Sequence, residues 1–415
     1  VPKEVPDMSA TIPAPAATPY RDRKRYAWLL SVIAPLGAPA GPFLYMQTGD
    51  TFWLWLFLAG FYFGTTALDL LFGEDLSNPP ESEVPRLEAD QYYRYITWAV
   101  VPVLWFGFLF NVIFLATHPE LAWYHWLAVA TVTGSMLGFG LNLGHELGHK
   151  KSWIDRKFAL FTLSLGFYGH FAVEHNRGHH RHVATPEDPA SSRMGETIYR
   201  FATRELPGGF FRAWDLESER MERMGKSEWS LDNEIIQGWL ISVPLYAGLV
   251  AYYGSVMVPI LVLIAFWGMF QLTSANYIEH YGLLRKKLAN GRYEQCQPHH
   301  SWNSNHIASN LVVFHLQRHS DHHAHPTRAY QSLRDFPELP RLPVGYFGMF
   351  MAAYLPPLWF SLMNHRVVEA VGGDASRINF EPAKKTRLMK RYGIRDTAAT
   401  AGGAVREGAP AAEGA

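Results

Sequence analysis

His145-Glu-Leu-Gly-His149 closes a long apolar run, and its two histidines stand four apart, the spacing that places side chains on one face of a helix. Two imidazoles so placed can bind one metal ion. Two more clusters follow, His175-Asn-Arg-Gly-His179-His180 and His319-Ser-Asp-His322-His323, and Asn276-Tyr-Ile-Glu279-His280-Tyr-Gly282 adds a ninth imidazole. The first pentapeptide alone also satisfies the H-E-x-x-H pattern of zinc proteases, in which Glu146 is the general base. A single four-coordinate zinc takes about three protein ligands and has no use for nine. Nine nitrogens suit two ions with about four or five donors each, leaving room for a small molecule.

On a helix His175 and His179 share a face, as do His319, His322 and His323. The neighbours His179 and His180, like His322 and His323, point about 100° apart. Adjacent histidines are therefore expected to serve different ions. An acid stands beside a histidine in each cluster: Glu146, Glu174, Glu279 and Asp321. Such carboxylates hold ring N–H groups and offset the charge of the ions; the alternative is solvation or pairing with nearby Arg and Lys. The other ten histidines, among them His170, His182, His299, His300, His306, His315 and His325, are assigned structural or peripheral places. His315, four residues before His319, competes for a ligand position.

The elements that must position these side chains are read from the apolar runs. Of 415 residues 14% are aromatic and 18% charged, and runs near 26–46, 52–72, 95–117, 124–144, 236–254 and 256–278 each reach the roughly 20 residues that cross a bilayer. Short turns near 47–51, 118–123 and 254–256 join them into three hairpins. Those turns lack Lys and Arg. The basic groups, Arg21 to Arg25, Lys150, Lys151, Arg156, Lys157 and Arg285 to Lys287, gather at the opposite ends. By the positive-inside rule both termini and all nine histidines are expected to face the cytoplasm. Pro35, Pro39 and Pro42 should kink or break the first run.

Residues 158–173 are apolar but short, and a crossing there would separate His175 from His145; a buried or re-entrant segment is expected. The polar stretches 174–235 and 279–396 should form a helical cap. The fold class is thus an all-α membrane protein: six transmembrane helices in three hairpins, with a cytoplasmic helical cap holding a histidine-rich two-metal site. Residues 1–19 read as a disordered tail, 20–396 as the membrane domain and 397–415 as a flexible linker. The chain opens on Val1, and its natural start is expected to lie upstream. One cysteine, Cys296, excludes a disulfide framework and a four-thiolate iron site. With 37 basic against 37 acidic residues, no nucleic-acid partner is expected.

HELGH, EHNRGHH, NYIEHYGLL and LQRHSDHH together resemble the integral-membrane alkane 1-monooxygenases, within the wider fatty-acid desaturase and hydroxylase superfamily. The resemblance covers about residues 20–390. It implies a non-haem di-iron centre held by His145, His149, His175, His179, His180, His280, His319, His322 and His323. It also implies insertion of one atom of O2 into the terminal C–H bond of a medium-chain alkane. Electrons would come from rubredoxin, separate or fused beyond the C-terminal tail, itself reduced by a rubredoxin reductase. A hydrocarbon slot is expected along the second run, with Trp53, Trp55, Phe61 and Tyr62, and with Phe61 limiting chain length unless it simply faces lipid or core. Lys150, Lys151, Arg177 and Arg181 are expected to steer the acidic donor, the alternative being anchoring at lipid headgroups. Still open are an acyl desaturase or hydroxylase, an intramembrane zinc protease and, more distantly, a metal transporter.

Overall fold

The computed structural model describes residues 20–394, so the expected tails at 1–19 and 397–415 lie outside the described residues. Among the described residues all regular elements are helical. Six helices are long and apolar enough to cross a membrane: Ala27–Thr48, Phe52–Phe72, Gln91–Thr117, Trp123–Gly148, Glu234–Tyr253 and Met257–His280. They fall on the six apolar runs. The first begins as short turns over Ala27–Leu29, Leu30–Ile33 and Ala34–Leu36, the last of them holding Pro35, whereas Pro39 and Pro42, expected to break it too, lie within the regular helix Gly37–Thr48. The second carries a π-helical turn at Gly60–Gly64, where one extra residue is accommodated in the helix.

The fourth span is the central column. Its most apolar window is 89% buried, against 17% for the second and fifth spans, because it packs on the first, second, third and sixth. Its tightest neighbour is the sixth span. A Cβ on Gly138 would lie 2.4 Å from Cβ of Gln271, and one on Gly134 2.8 Å from Cβ of Trp267. With no side chain at these places the two backbones close up, the usual role of small residues between membrane helices. The fourth and sixth spans end at Gly148 and His280, so this contact sets how far His145 and His149 lie from His280.

The short apolar segment forms a helix, Trp153–Leu165, about 20 Å long and too short to cross. It lies against the third, fourth and fifth spans, and a turn through Phe167, with φ of 58°, redirects the chain. His175 is thereby returned to the end where His145 lies. Beyond it a long helix, Ile198–Arg223, packs on the histidine segment and on the sixth span.

The second polar stretch is less helical than expected. Between Tyr281 and Gly345 the only α-helices are Ile307–Val312 and His319–Ala324. Asn and Ser side chains there take over the backbone's bonds. Asn303 accepts from the Ser320 backbone N–H at 2.9 Å and donates to Ser320 Oγ at 2.6 Å, holding the start of the second of these helices. Arg318, 2% exposed, donates to the carbonyls of Leu333 and Asp75, both at 2.8 Å, and ties the same helix to the loop after the second span.

Gly138→Ala tests the span contact. Overpacking of this kind costs about 1–3 kcal/mol, and the variant is expected to unfold at lower temperature in detergent, with metal content falling in step; an unchanged melting curve would mean that the spans part without cost.

Candidate metal centre

The nine histidines arrive from four places: His145 and His149 from the end of the fourth span, His280 from the end of the sixth, three from the segment Glu174–His182, and three from His319–Ala324. Their rings form two groups. His145, His149, His175, His180 and His322 offer nitrogens within 4.8 Å of one another, as do His179, His280, His319 and His323. All nine histidines named from the sequence fall in these two groups.

The inward atoms are Nε2. His145 and His322 approach to 2.9 Å, His180 to His175 at 3.0 Å and to His322 at 3.2 Å; in the other group His319 stands 2.9 Å from His323 and 3.2 Å from His280. Donors around one ion with metal–nitrogen bonds of about 2.0–2.1 Å are themselves roughly 3.0–3.4 Å apart. The Nε2 atoms of His149 and His179 are buried without a hydrogen-bond partner among the described residues. Burial first, and then the neighbouring imidazoles, holds His149, His175, His180, His319, His322 and His323 well below the ordinary histidine range. Neutral rings with inward lone pairs are what a metal ion needs. The donor set fits two ions.

Adjacent histidines do divide between the groups, His179 from His180 and His322 from His323. The expectation that His175 and His179 share one face of an α-helix is corrected, since they fall in different groups. Glu174–His179 is π-helical, with i→i+5 bonds and a wider turn, so residues four and five apart fall to either side of the first rather than the fourth lying over it as on an α-helix. His175 therefore meets His180, and His179 joins His280 in the other group.

The acids next to histidines mostly turn away. Glu146 is paired with Lys150 Nζ at 2.7 Å and accepts from the Tyr330 backbone at 3.3 Å; Glu174 pairs with Arg212; Asp321 pairs with Arg328 at 3.0 Å and accepts from the Arg334 backbone at 2.9 Å. A residue next to a ligand on a helix points about 100° away from it, which is why adjacency misleads. Of the four, Glu279 alone reaches a ligand histidine, with Oε2 3.4 Å from His319 Nε2. The carboxylate behind a ligand is one that sequence reading missed. Asp188 Oδ2 lies 2.9 Å from His179 Nδ1 and accepts from Ser191 Oγ at 2.6 Å, while Arg212 lies 2.8 Å from its other oxygen. Burial would raise this carboxyl, but His179, Arg212 and Ser191 outweigh it and hold it below the usual carboxylate range. No helical spacing links Asp188 to His179, so only its place in a Pro-flanked loop hinted at it.

His315 leaves the ligand list: its Nδ1 lies 2.9 Å from the Tyr330 carbonyl and its Nε2 3.2 Å from Lys24. Glu294, His299 and His300 also cluster, but the His300 nitrogens are taken by the Gln297 backbone and Glu294, and Arg377 stands against His299.

The residues expected to line a hydrocarbon slot separate. Phe61, Phe139 and Phe347 stand between a 30 Å³ inner cavity and a 160 Å³ cavity bounded by the first, second and fourth spans. The inner cavity touches Asn142, Ala275 and Leu316, each a helical turn or so before a ligand histidine. Trp55 and Tyr62 instead line a third cavity of 410 Å³ among the second, fourth and sixth spans. One hydrogen-bonded layer divides it from the inner cavity: Tyr62 Oη donates to Gln271 Oε1 at 2.9 Å, Trp267 Nε1 to Ser135 Oγ at 3.0 Å, and Gln271 Nε2 to Tyr354 Oη at 3.0 Å.

Of the expected docking cations, Lys150, Lys151 and Arg177 line a 510 Å³ cleft whose wall includes His149. Lys151 is exposed, whereas Lys150 is engaged by Glu146 and Arg177 by Glu217 and Glu234. Arg181 is exposed and away from that cleft.

Six apolar helices among the described residues, with a two-part histidine cluster at the ends of the fourth and sixth, define a membrane metalloenzyme of the desaturase type, and the family model for fatty acid desaturases matches residues 121–351. The chain belongs to the alkane 1-monooxygenase family. It is 52% identical to alkane 1-monooxygenase 1 of Alcanivorax borkumensis, over 91% of this chain and 93% of that protein. It is 51% identical to alkane 1-monooxygenase of Ectopseudomonas oleovorans, over 91% and 94%. The xylene/toluene monooxygenase hydroxylase component XylM of Pseudomonas putida is 32% identical over 54% of this chain and 59% of that protein.

Asp188→Asn is expected to weaken binding of the ion facing His179 by about 10–100-fold, the usual effect of losing a partner behind a metal-bound histidine; competition with a chelator measures it. Phe61→Ala would join the inner cavity to the 160 Å³ one, and product analysis across an alkane series is expected to show turnover extended to longer chains. An unchanged profile would return Phe61 to a packing role.

Proposed function

We propose that this protein is a di-iron monooxygenase of the bacterial inner membrane that converts medium-chain alkanes to primary alcohols. R–CH3, O2, two electrons and two protons yield R–CH2OH and water. The observation that carries the reading is the division of nine inward imidazoles into groups of five and four beside a narrow apolar cavity. Iron supplies the redox chemistry that zinc lacks.

The chain's own residues do the rest. The histidines hold the ions at the cytoplasmic ends of three membrane hairpins, an orientation supported by the basic groups at those ends. An alkane has no polar handle, so Phe61, Phe139, Phe347 and the inner cavity select the terminal carbon by shape. Burial of the cluster excludes water from the reacting carbon. Rubredoxin, separate or fused and reduced through its reductase, is the proposed electron donor, docking where Lys151 and the His149 cleft lie open, with Arg181 nearby in sequence to the same histidine segment.

Glu146 argues against the protease reading, since Lys150 and the Tyr330 backbone already engage the carboxylate that would act as base. Metal analysis and product analysis together form the test: two irons per chain and 1-alkanol from octane with rubredoxin, reductase and NADH are expected. One zinc, or turnover of acyl substrates alone, would overturn the reading. His149→Ala is expected to abolish turnover and reduce iron toward one per chain, as are the corresponding changes at His179, His280 and His322; full iron and normal activity in any of them would remove that residue from the ligand set.

A further inference from the structure

The two carboxylates that touch ligand histidines do so from opposite sides. Asp188 meets Nδ1 of His179, the back of the ring. Glu279 meets Nε2 of His319, the same atom that stands 2.9 Å from His323 Nε2 and 3.2 Å from His280 Nε2. A carboxylate behind a ring orients it, whereas one level with the inward nitrogens stands among the donors. Glu279 is buried with the Tyr346 hydroxyl as its polar neighbour on the side away from His319, and no Lys or Arg pairs with this residue among the described residues. It is 1% exposed, and a buried carboxylate without a cation is costly. Tyr346, which adjoins it, lines the inner cavity. The group beside it also has four imidazoles where the other has five.

We propose that Glu279 is the fifth donor of the four-imidazole group, a carboxylate ligand to its metal ion on the side toward the inner cavity. Both groups then have five protein donors, one of them with an anionic oxygen. The two ions differ accordingly: the one beside Glu279 carries less net charge and prefers harder, more oxidised metal. Glu279 also links that ion, through Tyr346, to the wall of the cavity where the hydrocarbon would lie.

The proposal rests on the two-ion reading, and the metal count of the unaltered chain tests that reading separately. The full chain in lipid nanodiscs is loaded with 57Fe(II), and its Mössbauer spectrum and release of iron to a chelator are compared with those of Glu279→Gln and Glu279→His. In Glu279→Gln one of the two ferrous signals is expected to change while the other stays. That ion should also leave by more than the roughly 10–100-fold that loss of a partner behind a ligand brings. Glu279→His, which returns a donor without the charge, is expected to restore retention. Glu279→Asp is read in place of Glu279→Gln where the latter does not accumulate, with a shift in the same single signal expected. Two unaltered signals and unaltered release in the Gln or Asp variant overturn the proposal. So does a loss of retention that Glu279→His leaves unrepaired, since charge balance alone would explain it.

Discussion

Nine imidazoles held together out of water gain little from one another. As neutral rings their inward nitrogens meet lone pair to lone pair, and as cations they repel at contact distance. Each buried polar atom left without a partner costs about 1–3 kcal/mol, and at His149 and His179 that is the inward nitrogen. Such a cluster depends on divalent charge between the rings and on a scaffold that holds it while the charge arrives. The scaffold is visible in the close contact of the fourth and sixth spans at Gly134 and Gly138. It is visible also in Arg318 and Asn303, which fix the helix His319–Ala324 from either side.

Electrostatics around the cluster follow from the same constraint. Carboxylates crowd the cap, but most are engaged by cations before they reach a ring, Glu146 by Lys150, Asp321 by Arg328 and Glu174 by Arg212. Arg212 also holds Asp188, and so anchors the one carboxylate that braces His179 from behind. The long helix Ile198–Arg223 brings this arginine in, which gives a polar surface helix a direct part in the geometry of a buried site.

The membrane side of the cluster is governed by shape. Aromatic rings of Phe61, Phe139 and Phe347 bound the inner cavity, while a single hydrogen-bonded layer of Tyr62, Ser135, Trp267, Gln271 and Tyr354 separates it from the wider cavity at Trp55. Phe61 and Tyr62 are neighbours on a helix and so point to different walls, Phe61 to the inner cavity and Tyr62 to the wider one.

The sequence by itself determined what local periodicity can carry. Six apolar runs became six long apolar helices, and His145 and His149 share a group because the fourth span is a regular helix to its end. Eight of the nine inward histidines were readable from their clustered spacing, whereas His280, alone in its segment, was marked by the NYIEHYG motif of the resemblance. Tertiary structure decided the pairing of His175 with His180, the outward turn of three of the four adjacent acids, the bracing of His179 by Asp188 and the separation of Phe61 from Trp55. None of these follows from spacing. A π-helical turn is retained where packing compensates its strain, and a loop carboxylate is placed by partners far away in the chain, so both are settled by contacts that exist only once the helices have come together.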